Sequence, residues 1–111
     1  MKKTLKLHNP IMINNEKVTK LSYDTNEITA AMFSEADARK KMAAGNKNVA
    51  LVPSAEFDYS FHLYLFIAAV VAVNPGYDFA DVERIHGLDV VEAMGIGRGF
   101  MLKSEASSQG S

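Results

Sequence analysis

The 111-residue chain predicts an α+β fold, with an N-terminal β-hairpin followed by a mainly helical bundle of about four helices. Three observations predict it. Residues 4–23 alternate apolar and polar side chains, which is the period of a half-buried strand. Beyond them, Asp or Ser opens each apolar-periodic stretch, and Gly or Pro closes most of them. In the middle, Leu63 to Val73 forms an apolar run with no polar face.

In the first segment Leu5 and Leu7 alternate with Lys6 and His8; Ile11, Ile13, Val18 and Leu21 follow. Asn14, Asn15 and Glu16 carry turn chemistry, because Asn tolerates positive φ, so the hairpin turns at Asn14 and Asn15. Pro10 lacks an N–H, which places it at a sheet edge or at a break between short strands.

Asp24 to Gly45 predicts a helix. Asp24 and Glu27 have the spacing of a capping box. Gly45 suits the residue just past a helix end, with Arg39, Lys40 and Lys41 near the negative end of the dipole. Ile28, Met32 and Ala36, joined by Phe33, form the buried stripe. Residues 46–53 read as a connector with a short extended piece at Val49 to Val52. Ser54 then caps a central helix over residues 55–73. At 100° per residue, Phe57, Phe61, Tyr64, Ala68 and Val71 share one side, while Tyr59, Leu63, Phe66, Val70 and Val73 share the other. Both sides are apolar, and a domain this small has little interior in which to cover such a helix.

Asn74, Pro75 and Gly76 make a turn. Asp78 caps a short helix over 79–85 that ends before Gly87. Asp89 and Glu92 again have capping-box spacing and open a last helix, which the glycines at 95, 97 and 99 are expected to weaken or bend. Residues 1–102 read as a single domain. The small, polar tail 103–111 reads as disordered.

Composition narrows the function. Apolar residues make up 48% and charged residues 23%, so the chain can build a core. With no cysteine it has neither a disulfide scaffold nor a thiolate metal site. The opening MKKTLKLHNP is basic but lacks the apolar stretch of a leader. A membrane-spanning helix needs about 20 apolar residues; the central run supplies 11, so no membrane partner is expected. Charge is uneven: residues 1–50 carry nine basic against five acidic side chains, residues 51–111 three against eight. Two solvated faces explain this, and so does head-to-tail self-association or a charged partner.

Candidate chemistry is sparse. His8, His62 and His86 lie on different segments without the spacing of a metal site. The GIGRG stretch at 95–99 lies inside a helical segment, not between a strand and a helix, so it does not read as a dinucleotide loop. Residues 81–97 could form a helix-turn-helix around Gly87, but five acids against two arginines over Asp78–Arg98 oppose phosphate contact, and no nucleic-acid partner is expected. No nucleophile–base pair stands out, so neither an enzyme nor a cofactor is expected.

What remains is an apolar surplus. Phe57, Phe61 and the residues from Leu63 to Ile67 are dense for one helix, and six methionines add adaptable packing. Monomer core explains part of it. A client or self-association surface is expected at Tyr59, Leu63, Phe66, Val70 and Val73, and at Phe100 and Met101 on the last helix.

The order of motifs resembles a known family. Leu7, Pro10, Ile11, Val18, Thr19 and Leu21, followed by Gly87, Asp89, Ile96, Gly97 and Phe100, match the short strand pair and closing helix of the tail assembly chaperones of long-tailed bacteriophages, in particular those of Mu-like and P2-like tails. The resemblance spans about residues 5–102. It implies a non-enzymatic protein that coats the tape-measure protein in the host cytoplasm, keeps it soluble while tail-tube subunits assemble, and is absent from the mature virion. It gives no active site to carry over; self-association would guard the apolar surface until a client arrives, so a homo-oligomer is expected. From another class, a structural tail component of the virion or a small oligomeric adaptor fits the same residues.

Overall fold

A computed structural model describes residues 2–44 and 59–110 and bears out the α+β fold, an antiparallel two-stranded hairpin followed by four helices. Gly45, Val49 to Val52, Ser54 and Phe57 lie outside the described residues.

Strand β1 (Lys3–Ile13) pairs with β2 (Glu16–Tyr23). Asn14 and Asn15 turn the chain with φ of 53° and 66°, the two-residue loop whose twist suits a hairpin. The register holds from Ile13 opposite Glu16 to Ile11 opposite Val18, and again from Lys6 opposite Lys20 to Lys3 opposite Tyr23. Between these blocks, Leu7 to Pro10 face Thr19 alone. Pro10 therefore lies in a bulge of one long strand, where its missing N–H breaks no ladder bond.

Asp24 does not open a long helix as its spacing predicts. Its side chain accepts from Asn26 N–H (2.9 Å) and caps a single 3-10 turn, Thr25–Glu27. Its backbone N–H donates to Ala69 O (3.1 Å), docking the turn on the central helix. Helix α1 (Ala30–Ala44) starts later, with the Thr29 hydroxyl accepting from Met32 N–H (3.2 Å). Ala36 is buried and Met32 half-buried, while Phe33 sits at the rim against Phe61.

Helix α2 (Tyr59–Val73) is the axis of the fold. It contacts β2, the 3-10 turn, α1, α3 (Phe79–Val82) and α4 (Leu88–Gly110). Every residue from Leu65 to Val70 is fully buried. The chain itself thus covers the middle of the apolar run, because the hairpin and three helices surround a single helix. Asn74 closes the end of α2: its side-chain amide donates to Val70 O (2.7 Å) and to Ser22 O (2.9 Å), satisfying an orphan carbonyl and tying α2 to β2.

Asp78 caps α3 as its position predicts, in a reciprocal capping box with Asp81. This helix is only four residues long. By contrast, α4 continues to Gly110, through residues read from composition as a loose tail. Helix propagation from Leu88–Leu102 is cheaper per residue than nucleation, so a polar extension can follow an established helix. Among the described residues no helix is long and apolar enough to cross a membrane.

Candidate functional site

Two features of α4 stand out: a polar junction with β1 and an outward apolar face. The junction arises from the bulge. Opening the ladder at Leu7–Pro10 leaves the N–H groups of His8 and Asn9 without strand partners. Asp89, in the first turn of α4 and fully buried, accepts both, at 2.8 Å from His8 and 2.9 Å from Asn9. Asp89 is therefore a strap between strand and helix, not the helix cap its spacing predicts. Its charge at the positive end of the α4 dipole is favourable as well. Gly87, at φ +67°, makes the turn into α4, and a Cβ there would meet the Asn9 side-chain nitrogen at 2.9 Å.

Glu92, one helical turn further on, reaches His8 Nε2 at 3.2 Å. His8, Asp89 and Glu92 offer three ligand atoms within 4.8 Å of one another, a set that could in principle hold a divalent cation. Both Asp89 oxygens already accept backbone N–H groups, and the helix terminus is electropositive, so the geometry is explained by holding the bulge. Leu5, Lys6, Leu7, His8 and Glu92 line a shallow cleft of about 380 Å³ beside this junction.

A second polar cluster ties three helices. Arg39 of α1 bonds Glu35 (2.9 Å) and Glu83 (2.8 Å) and lies 5.4 Å from the centre of the Phe79 ring. The Tyr64 hydroxyl donates to the other oxygen of Glu83 (3.0 Å). Burial, and next the bond to Glu83, pushes the Tyr64 pKa up to about 12. Arg39, expected beside the α1 dipole, serves instead to join the basic half of the chain to the acidic half. On the solvent side of the hairpin, exposed Lys6 and Lys20 stand directly opposite each other. Like charges so placed are destabilising.

The expected surface residues separate. Phe66 and Val70, read as outward, are fully buried, because the hairpin and 3-10 turn pack on that side of α2; Tyr23 stacks against Phe66 at 5.3 Å between ring centres. In this conformation neither can meet another chain. Leu63 is half-buried and packs on the core, and Val73 is half-buried. Tyr59 opens α2, and its side chain is outside the described ones. Phe100 and Met101 are partly buried against the core from α4.

Among the described residues, Met12, Phe33 and Met42 are exposed singly on β1 and α1, and an exposed group on α4 was missed by sequence reasoning. Leu88 (52% exposed), Val91 (59%) and Leu102 (39%) share one face of α4 with Gly95 and Gly99. Nothing lies within 4 Å of a Cβ built on either glycine. A Cβ on Gly97, on the opposite face, would stand 2.0 Å from His62 O of α2. The signal was present in the spacing 88, 91, 95, 99, 102, which follows one helical stripe.

No family model matches the chain, and no curated protein or solved structure is similar to it.

Proposed function

We propose that this chain is a non-enzymatic tail assembly chaperone of the kind its motifs resemble. It binds the tape-measure protein, keeps it soluble and helps recruit tail-tube subunits in the host cytoplasm, and it leaves before the virion is complete. The observation that carries the reading is the outward face of α4. After the core is filled, Leu88, Val91 and Leu102 remain exposed along one helix, a surface suited to an apolar helical client.

The motif residues support the same reading from another direction. Gly87 and Asp89 hold the β1 bulge beside Pro10, and Gly97 lets α4 approach α2. They build a strand pair and a closing helix docked on each other, the order of elements the resemblance implies. The polar groups grouped in space are engaged in holding the fold, which favours a binding role over catalysis.

The test is co-expression with a phage tape-measure protein, followed by affinity pull-down and a solubility assay. The reading expects a soluble, co-eluting tape measure, loss of that effect in Val91→Asp, and absence of this chain from purified particles. A tape measure that stays insoluble overturns it. Recovery of the chain from finished particles would favour a structural tail component.

A further inference from the structure

We propose that the outward face of α4 is a two-fold self-association surface, on which a second copy of this chain crosses α4 at Gly95. It uses the same face as the client reading above, so a second copy would guard that face until a client displaces it, and the chain alone, with no client present, tests it.

Three observations lead to it. The first is the ridge. Val91, Gly95 and Gly99 are spaced by four, so they form one row along the helix, and both glycines face open space. A row whose centre is glycine lets a second backbone approach closely. At the right-handed crossing angle of about −50° the i±4 rows of two helices run parallel, and a glycine row can lie directly on its copy. A two-fold crossing through Gly95 at that angle sets Gly95 on Gly95, Val91 on Val91 and Gly99 on Gly99.

The second observation is charge. Glu92 and Arg98 lie three residues before and three after Gly95, on opposite flanks of the ridge. At 100° and 1.5 Å per residue, the same crossing carries Glu92 of each copy to within side-chain reach of the partner's Arg98. The pairing occurs twice by symmetry, so the face is complementary to itself, as an isologous interface must be. Glu92 keeps its contact with His8 through one oxygen and has the other available.

The third is exposure. Val91 is more exposed than any other apolar side chain on α4 among the described residues. Leu88 and Leu102 extend the apolar surface beyond the crossing on both sides. A partner that covers this row removes the largest apolar surface of α4 from water.

Sedimentation of the full chain over a wide concentration range tests the proposal. The wild type should pass from monomer to dimer as concentration rises. Gly99→Leu fills the row without touching the core, so it should stay folded by circular dichroism and remain monomeric. Arg98→Glu and Glu92→Arg should each weaken the dimer by about tenfold or more. Mixing the two single variants should restore association, because every facing pair in the mixed dimer is then of opposite sign. Since the chain has no cysteine, Gly95→Cys adds a lone thiol on the axis, which should form a disulfide-linked dimer on mild oxidation. A wild type that stays monomeric at all concentrations overturns the proposal. So does a dimer that ignores Gly99→Leu and gains nothing from mixing the charge variants.

Discussion

Gly97 and Gly99 lie two residues apart on one helix and do opposite things. Gly97 faces inward, where a single added carbon would stand 2.0 Å from a backbone oxygen and 2.7 Å from a backbone carbon of His62. Gly99 faces outward into open space. The first is glycine because α2 and α4 pack backbone to backbone there. The second meets nothing among the described residues, and glycine at an exposed helix interior costs about 1 kcal/mol relative to alanine. That cost is what the proposed crossing of a second α4 would offset. The same contrast separates α2 from the outer face of α4. One is apolar all round and covered; the other is apolar on one stripe and bare.

Substitutions can break this contrast at several strengths. The largest effect is expected from Phe66→Asp, which removes a fully buried ring and places a carboxylate among apolar groups. The cost is on the order of a small domain's whole stability, so the variant should lack the cooperative thermal transition, while Val91→Asp on α4 keeps it. Two cooperative transitions would mean that α2 is not the core.

Next is Gly97→Ala. Helix propensity alone favours alanine by about 1 kcal/mol, but overpacking against rigid backbone should outweigh it, with a net loss of about 3 kcal/mol or more by chemical denaturation. Asp89→Ala follows, since it strips two part-buried N–H groups of a charged acceptor; a loss of about 2 kcal/mol is expected. Asp89→Asn should recover part of that loss, as one oxygen can still accept. If Asp89→Ala were neutral in denaturant, the strap between β1 and α4 would not exist.

The smallest effect tests the helix cluster. Tyr64→Phe removes the bond to Glu83 and should cost about 1 kcal/mol at neutral pH. The hydroxyl keeps its proton in the folded chain up to about pH 12, against 10.0 for free tyrosine. Stability from this group is therefore complete below pH 10 and declines as pH rises from 10 to about 12. Tyrosinate absorbance should lose one late-titrating ring in Tyr64→Phe, while Tyr23, whose pKa burial also raises, still titrates late.

Much of the fold was legible in the residues. The Asn14–Asn15 turn, the alternation of β1 and β2 and the Asp78 cap are local, and local chemistry decided them. The polar roles were not legible. Asp24 and Asp89 each have a Glu three residues later, which reads as a capping box. Asp89 instead serves a strand 80 residues away, because a bulge there leaves two N–H groups to satisfy. Asp24 caps only a 3-10 turn, since its own N–H is drawn to Ala69 O. The glycines at 95, 97 and 99 read as one flexible cluster, whereas they lie within the continuous helix α4, whose two faces use them differently. The outward reading of Phe66 and Val70 came from treating the core as too small to surround a helix, when a long hairpin can wrap it.

The most direct measurement compares the thermal unfolding of Gly97→Ala and Gly99→Ala in dilute solution. The account predicts opposite signs: Gly97→Ala unfolds at lower temperature than the wild type, and Gly99→Ala at equal or higher temperature. Two shifts of the same sign would contradict it, since α4 would then not have one face against α2 and the other free.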